Sequence, residues 1–265
     1  MISAPSRVLI IAGSDSGGGA GLQADIKTAT ALGVYASTAV TAVTVQDTRA
    51  VHAIHEIPAS MVRDQIACVL GDIGADAIKI GMLGSAAIVE AVADSLLYHA
   101  REIPVVVDPV LASSSGTALL EDSAIGLLTT RLFPLVALVT PNIPEAAALA
   151  GTRILNTYDM RVAGEKLRAL GASAVLVKGG HGNTDIVEDV LVSGEGVHVF
   201  TAKRIDCGGT HGTGCTLSAA IACGLAQSVP LVESIDRARI FVQQAIRTAP
   251  GFGRGHGPLN HLVRL

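Results

Sequence analysis

The sequence predicts an α/β fold with three layers, in which a central, mostly parallel sheet with antiparallel edge strands lies between helices. The first observation is that short runs rich in β-branched residues alternate with alanine-rich segments of helical length. Such alternation is typical of a parallel sheet that helices cover on both faces. The second is that several runs are apolar at consecutive positions, as strands buried on both faces require. The third is that two regions break the alternation and indicate antiparallel pairing.

The predicted elements follow in chain order from these patterns. The β-rich apolar runs predict strands at residues 7–12, 38–45, 77–80, 105–107, 136–140, 174–177, 186–192 and 197–200. Apolar residues at helical spacing predict helices at residues 20–32, 59–70, 86–99, 118–129, 143–150, 158–170, 213–226 and 231–248.

The two departures from the alternation predict where the sheet is mixed. Residues 34–57 contain two β-rich runs with no helix between them, and residues 186–200 fit a hairpin that turns at Ser193-Gly194-Glu195-Gly196. The chain contains no Pro/Ser-rich linker, no block of like charges and no internal repeat. We therefore expect residues 1–265 to form a single domain.

Composition excludes several classes of function. Of the 265 residues, 49% are hydrophobic and only 16% are charged, and the net charge of −4 argues against binding to nucleic acid. The longest apolar stretches have the length of strands, so we expect neither a membrane span nor a signal peptide. The four cysteines lack CxxC spacing, which predicts reduced thiols and a cytoplasmic location.

A first glycine cluster, residues 13–21, joins the first predicted strand to the first predicted helix. Five of its nine residues are glycines, which suggests that a ligand comes close to the backbone; a flexible turn would account for only part of them. The cluster matches neither the G-x-G-x-x-G pattern nor a P-loop. This mismatch disfavours an NAD-dependent oxidoreductase.

A second cluster, residues 208–216, precedes the predicted helix at 213–226. Glycines let successive N–H groups converge, and the helix N-terminus adds partial positive charge, so this segment suits a phosphoryl group. A structural turn is the simpler alternative. Cys215 lies in the first helical turn, where the helix dipole is expected to lower a thiol pKa; as an isolated cysteine it could equally be a packing residue.

Polar residues follow three predicted strands and form a third group. Asp108 comes directly after residues 105–107, and Lys178 after residues 174–177. Asn142 and Glu145 follow the strand at 136–140, where they suit either an N-cap with its capping-box partner or a site for Mg²⁺ beside a phosphorylated ligand. Lys178 could pair with phosphates or be a solvated lysine at a strand end.

Together these segments resemble the ribokinase-like superfamily of small-molecule kinases and, within it, the hydroxymethylpyrimidine/phosphomethylpyrimidine kinases of thiamine biosynthesis. The resemblance extends over nearly the whole chain, to Gly255-His256-Gly257-Pro258, and its most specific motif is the cysteine-containing segment that follows His211. The matching segments are Ile10-Ile11-Ala12-Gly13-Ser14-Asp15, Gln23-Ala24-Asp25-Ile26-Lys27-Thr28, Lys79-Ile80-Gly81-Met82-Leu83, Asp108-Pro109-Val110, Thr140-Pro141-Asn142, Lys178-Gly179-Gly180-His181 and His211-Gly212-Thr213-Gly214-Cys215-Thr216-Leu217-Ser218.

The resemblance implies the following catalytic roles. The backbone of Gly212, Thr213, Gly214 and Cys215 would form an anion hole. Cys215 would accept the proton of the substrate's primary hydroxyl as it attacks the γ-phosphoryl group of ATP. That role requires a lowered thiol pKa, which the helix N-terminus is expected to provide.

The resemblance also implies ligands for the nucleotide and its metal ion. Asp108 and Glu145 would organise Mg²⁺ and phosphates together with Asn142. Lys178 would contact the nucleotide phosphates.

The second substrate implied is an aminopyrimidine alcohol or its monophosphate. Asp25 and Gln46, with the Gly13 backbone, would hydrogen-bond the pyrimidine, which suits an exocyclic amine beside a ring nitrogen. Met82 would pack against the ring, although a lone methionine is more simply a core residue.

Arg254 would bind phosphate in the second phosphorylation. Relatives often have Lys at this position, and Arg offers a fork in place of a point charge. Two further departures are the absence of a Lys from residues 111–116 and the presence of Gly209 in place of a common Asn.

Two alternatives stay open at the level of sequence. The first is a pyridoxal or pyridoxine kinase on the same scaffold, which would tend to have a cysteine in residues 111–116 and to lack Gln46; this chain has the opposite features. The second is a non-catalytic pyrimidine-binding regulator, which would be expected to have lost Cys215, Asp108 or Glu145. The resemblance, with the low charge of the edge strands, also implies a homodimer.

Overall fold

A mixed sheet forms the middle layer of the computed structural model, which describes residues 4–113, 116–180, 185–205 and 209–263. Within these residues the sheet has nine strands in the order β3-β2-β1-β4-β5-β6-β7-β8-β9. The strands are β1 (Arg7–Asp15), β2 (Tyr35–Gln46), β3 (Val51–Glu56), β4 (Ala77–Ile80), β5 (Val105–Val107), β6 (Leu138–Val139), β7 (Val175–Val177), β8 (Ile186–Ser193) and β9 (Gly196–Lys203).

Helices cover both faces of this sheet. They are α1 (Gly21–Ala31), α2 (Ala59–Asp72), α3 (Ala86–His99), α4 (Asp122–Leu127), α5 (Ile143–Ala150), α6 (Thr157–Ala169), α7 (Thr213–Ala226) and α8 (Leu231–Arg247). Alternate residues of β1 face opposite layers: Leu9 and Ile11 pack with α2 to α6, whereas Val8 and Ile10 pack with α1, α7 and α8. The predicted three-layer architecture is confirmed.

The strand directions agree with the predicted mixed sheet. Strands β2, β1, β4, β5, β6 and β7 pair in parallel, while β3, β8 and β9 pair antiparallel with their neighbours. The predicted hairpin is confirmed, because Ser193 pairs with Gly196 at its end. No helix of the described residues is long and apolar enough to cross a membrane.

Some predicted boundaries are wrong. Strand β1 continues to Asp15 because it pairs with β2 as far as Thr44, across an irregularity after Ala12. The helix predicted at 118–129 begins only at Asp122, and the chain then continues as a π-helical segment and a 3₁₀ turn up to Leu135. Pro134, which lacks an N–H donor, is incompatible with continued α-helix there.

The predicted strand at 136–140 is correspondingly reduced to β6. The parallel strands bring their carboxyl ends to one edge of the sheet, where β1, β4, β5, β6 and β7 are each followed by residues of the predicted site. The N-terminus of α7 lies over this edge, since α7 contacts β1, β4 and β5. This is the position at which open parallel sheets bind ligands.

Candidate active site

The N-terminus of α7 is shaped by a glycine that no other residue can replace without distortion. Gly212 caps the helix with a left-handed backbone, φ 84°. A Cβ added to it would lie 1.8 Å from the carbonyl oxygen of Gly19, so the two glycine clusters contact each other directly. Thr213 braces the turn by donating its hydroxyl to the Thr210 carbonyl at 2.7 Å. The Thr213 N–H also donates to the Thr210 carbonyl at 3.3 Å, whereas the N–H groups of Gly214 and Cys215 lie in the first turn, where a helix supplies no acceptor.

Lys178 and Asp108 meet beside this helix N-terminus. The ammonium of Lys178 donates to Asp108 Oδ1 at 2.6 Å, and the Thr140 hydroxyl donates to the same oxygen at 3.1 Å. A Cβ added to Gly214 would lie 3.1 Å from Lys178 Nζ and 3.3 Å from Asp108 Oδ2. A buried ammonium, a buried carboxylate and helix N–H groups therefore converge on one point.

Asn142 and Glu145 form the capping box that the sequence left open as an alternative. Asn142 Oδ1 accepts from the Glu145 N–H at 2.9 Å, and Glu145 Oε2 accepts from the Asn142 N–H at 2.8 Å. Burial raises the pKa of Glu145 to about 7, and repulsion from Asp108 adds to this while Lys178 opposes it. Asn142 thus has a structural role whether or not it also binds phosphate.

Asp108 and Glu145 are the residues whose chemistry fits a divalent cation. They are two buried carboxylates, and Asp108 disfavours the charge of Glu145, which a bound cation would relieve. No group of three or more His, Cys, Asp or Glu side chains within the described residues is arranged to hold a metal. That is compatible with Mg²⁺, which commonly uses one or two carboxylates plus substrate phosphates and water.

Asp15 organises the first glycine cluster by accepting hydrogen bonds from its backbone. Asp15 accepts hydrogen bonds from the N–H groups of Gly17, Gly19 and Ala20 at 2.8, 3.0 and 2.8 Å. These bonds and His211 outweigh burial and hold the pKa of Asp15 below its usual value. The density of glycines in this cluster is therefore explained in part by close packing of the chain on itself.

Asp25 and Lys79 form a buried pair, and the partly buried Cys215 lies close to them. Lys79 Nζ donates to Asp25 Oδ2 at 2.7 Å, and both side chains are fully buried. Asp25 Oδ1 is buried and has no hydrogen-bond partner among the described residues. Burial raises the pKa of Asp25 to about 6, against the attraction of Lys79.

The expected lowering of the Cys215 thiol pKa is wrong for the free protein. Burial raises this pKa to about 11, and Asp25 and Asp108 add to the rise. The ammonium of Lys79 and the Gly21 N–H favour the thiolate but do not offset the loss of water. Burial thus outweighs the helix dipole at this position.

The remaining pyrimidine-binding candidates are Gly13, Gln46 and Met82. Met82 is almost buried, and its sulfur lies 3.1 Å from where a Cβ on Gly13 would be. Gln46 Nε2 is 3.3 Å from His211 Nε2, which is itself 3.1 Å from Asp15 Oδ2. Gln46 thus lies beside His211, which directly precedes the predicted anion hole, and Gly13 and Met82 lie next to each other.

Arg254 lies on the C-terminal glycine run, which folds back over the end of β2. The N–H groups of Arg254 and Gly255 both donate to the Thr48 hydroxyl at 3.2 Å. Arg254 and Gln46 line a cavity of about 320 Å³ that also includes Arg49. The structure therefore places this exposed cation next to the pyrimidine-binding candidates.

Three residues of this site were not assigned from the sequence. In the sequence, Asp15 and His211 stand out only as parts of motifs, and Lys79 only as part of a segment that matches the kinase family. A lysine inside the otherwise apolar strand Ala77–Ile80 was the available signal, because a buried charge requires a partner. Gly208, His181, Ser114 and Ser115 lie outside the described residues.

The three-layer fold, with a lysine–carboxylate pair beside a helix N-terminus at the carboxyl edge of the sheet, is that of small-molecule kinases of the ribokinase-like class. The family model described as phosphomethylpyrimidine kinase matches residues 15–260. The chain belongs to this family.

Individual relatives agree with that assignment. The chain is 50% identical over 97% of its length to the thiamine biosynthesis bifunctional protein ThiED of Geobacter sulfurreducens, and it spans about half (52%) of that longer protein. It is 46% identical over 98% of its length to the hydroxymethylpyrimidine/phosphomethylpyrimidine kinase of Mycobacterium leprae, of which it covers 95%. Among solved structures, the ADP complex of Bacillus subtilis pyridoxal kinase superposes with a TM-score of 0.90 at 35% identity, covering 97% of this chain and 98% of that one.

Proposed function

We propose that the chain is an ATP-dependent kinase that phosphorylates the hydroxymethyl group of 4-amino-5-hydroxymethyl-2-methylpyrimidine and then phosphorylates the resulting monophosphate, in thiamine biosynthesis. The observation that carries the proposal is the convergence of the α7 N-terminus, the Lys178–Asp108 pair and the Asp25–Cys215 cluster at one edge of the sheet. Relatives that match nearly the whole chain are named for this activity.

The phosphoryl group is proposed to bind at the N-terminus of α7. The N–H groups of Gly214 and Cys215 would stabilise the negative charge on its oxygens, and Lys178 would neutralise the phosphates of the nucleotide. Mg²⁺, held by Asp108 and Glu145, would supply further charge neutralisation on the phosphates when bound. Arg254 would contact the phosphate of the monophosphate substrate.

The pyrimidine is proposed to lie between Asp25, Gln46 and Met82. Asp25 Oδ1 is the group best suited to accept from the exocyclic amine, because it is buried and otherwise lacks a donor among the described residues. A buried acceptor without a donor costs free energy, so a ligand that supplies one is favoured. The side-chain amide of Gln46 would add a hydrogen bond to the ring.

Transfer then requires one proton to leave the substrate. The hydroxyl oxygen forms the new bond to the γ-phosphorus, and the bond from that phosphorus to the bridging oxygen breaks, leaving its electron pair on ADP. We propose that the hydroxyl proton passes to the Cys215 sulfur. Only the thiolate can accept this proton, so Cys215 must first release its own proton to solvent. In a loose transition state the hydroxyl becomes acidic only late, so a small fraction of thiolate can serve as the base.

The role of Cys215 is tested by Cys215→Ala, with Cys68→Ala at the exposed cysteine of α2 as the matched control. We expect Cys215→Ala to retain pyrimidine binding and to lose turnover by about 100-fold or more, the usual contribution of a general base. Calorimetric titration with the pyrimidine and steady-state ADP release measure the two effects. Unchanged turnover in Cys215→Ala would remove the thiol from the mechanism.

Pyridoxal is the second candidate substrate, because a pyridoxal kinase superposes closely on this chain. Gln46 and the absence of a cysteine from residues 111–116 favour the pyrimidine. Gln46→Ala should weaken binding of the pyrimidine more than binding of ATP. Equal losses would assign Gln46 a structural role.

We further propose a single domain of residues 1–265, a cytoplasmic location and a homodimer. The continuous sheet supports the first, and the lack of CxxC spacing supports the second. The dimer is supported by apolar side chains left exposed on the edge ribbon of β2 and β3, among them Val43, Val45 and Ile54. Sedimentation of the wild-type chain and of Val45→Glu tests the dimer, which the substitution should weaken.

A further inference from the structure

The ion pair between Lys79 and Asp25 is the most deeply buried one in the described part of the chain. Lys79 is on β4 and Asp25 on α1, and both side chains have no exposed surface. Removing two charges from water costs about as much as their attraction returns, so an apolar pair of similar size would stabilise the fold equally well. The position of the pair therefore suggests a role in the site and not in the stability of the fold.

Cys215 accepts from the Gly21 N–H at the start of α1, and Asp25, which Lys79 holds, lies one turn further along that helix. The Lys79 ammonium holds Asp25 by Oδ2 alone and leaves Oδ1 without a partner among the described residues. The charged groups that act on Cys215 are Lys79, which favours the thiolate, and Asp25 and Asp108, which oppose it. Lys178 also interacts with Cys215 from the end of β7.

The packing around Lys79 fixes where this charge lies. A Cβ added to Gly81 would be 2.9 Å from Lys79 Nζ and 3.2 Å from the Ala12 side chain. A glycine at position 81 therefore leaves the space that the ammonium occupies beside Asp25. A charge held in a water-excluded position acts more strongly than the same charge in solvent.

We propose that Lys79 is a positioning residue of the kinase site, which fixes Asp25 so that Oδ1 is available to the pyrimidine amine and holds a buried positive charge close to Cys215. The proposal rests on the proposed function for its role in turnover. The link between Lys79 and the Cys215 thiol can be measured without ATP or pyrimidine. The two proposals can therefore fail separately.

The test is the alkylation rate of Cys215 by iodoacetamide in the full-length protein, followed peptide by peptide by mass spectrometry. Cys68, which is exposed on α2, serves as the internal reference in the same sample. In Lys79→Met we expect the Cys215 rate, divided by the Cys68 rate, to fall by about tenfold, which is the effect of one pKa unit on the thiolate fraction. An unchanged ratio in the folded variant would overturn the proposal.

Gly81→Ala provides a second variant that keeps every charge in place, in case Lys79→Met does not fold. Its methyl group would displace Lys79 Nζ by contact, so the Cys215 ratio should fall here as well, though less. Arg7→Met is the matched control, since it breaks the ion pair with Asp76 at the amino-terminal end of β1 and should leave the ratio unchanged. An equal fall in Arg7→Met, or no fall in Gly81→Ala, would contradict the proposal.

A second readout separates positioning from a purely structural role. If the wild-type chain is a pyrimidine kinase, Lys79→Met should raise KM for the pyrimidine and lower kcat while changing KM for ATP by less than about threefold. Equal increases in both KM values with unchanged kcat would show that Lys79 only supports the fold.

Discussion

Gly212→Ala is expected to separate the two glycine clusters and so to disable the proposed anion hole. The added Cβ would lie 1.8 Å from the Gly19 carbonyl oxygen, whereas real Cβ contacts are essentially never under 3.0 Å. The two backbones must therefore move apart by more than about 1 Å, and a displacement of that size at a reacting centre typically costs about 100-fold in rate. The left-handed backbone at φ 84° adds about 1 kcal/mol of strain for any residue with a Cβ.

Gly151→Ala is the matched control for this strain. Gly151 caps α5 with a left-handed backbone at φ 58°, but a Cβ there would meet nothing within 4 Å. Both variants should lose about 1 kcal/mol or more of unfolding free energy in urea. Only Gly212→Ala should lose kcat/KM in an ADP-release assay. A Gly212→Ala enzyme within about threefold of wild type would refute the argument, because the anion hole would then tolerate the displacement.

Three further results are expected. Pyrimidine binding, measured by calorimetry, should weaken as pH falls through about 6, where the buried Asp25 carboxylate takes up a proton, and Asp25→Asn should lack this step. Burial lowers the pKa of His261, which hydrogen-bonds Thr216, to about 4. The folded state thus favours neutral His261. As the pH falls from about 7 to about 5, the free energy of unfolding measured in urea titrations should decrease by about 2 kcal/mol. The decrease should be smaller in His261→Gln, and an equal decrease would contradict this. Arg254→Ala should raise KM for the monophosphate by about tenfold more than KM for the alcohol, as loss of a charge-assisted hydrogen bond predicts, and parallel changes would exclude a phosphate contact.

The fold was predictable from the sequence wherever local pattern and tertiary context agree. Helices α3, α5 and α7 begin and end where the apolar periodicity predicts, because their caps and flanking turns lie in the sequence itself. The extension of β1 through Gly13-Ser14-Asp15 was not predictable in this way. Those residues favour turns, and only pairing with β2 holds them in the sheet.

The site was predictable where chemistry follows a strand directly. Asp108 and Lys178 form an ion pair because parallel strands end at the same edge, which the strand assignment already implied. The pKa of Cys215 was predicted in the wrong direction, because burial depends on neighbours from other elements. Lys79 was missed for the same reason: its partner Asp25 is distant in sequence, and a single lysine in a strand does not reveal it.

The capping box at α5 shows how one pattern can serve two purposes. Asn142 and Glu145 satisfy each other's backbone, so their spacing alone does not indicate a ligand. The nearby buried Asp108 distinguishes this box from an ordinary cap, since a second carboxylate is not needed to start a helix. That distinction required the structure.

The most direct test of the account is ADP release by the wild-type chain with Mg²⁺ and ATP, measured side by side with hydroxymethylpyrimidine, its monophosphate and pyridoxal, with products identified by mass spectrometry. We predict that the pyrimidine alcohol yields the monophosphate, that the monophosphate yields the diphosphate, and that pyridoxal is a poorer acceptor than either. Absence of phosphorylated product from both pyrimidines, or a clear preference for pyridoxal, would contradict the assignment of Asp25, Gln46 and Cys215 to a pyrimidine kinase.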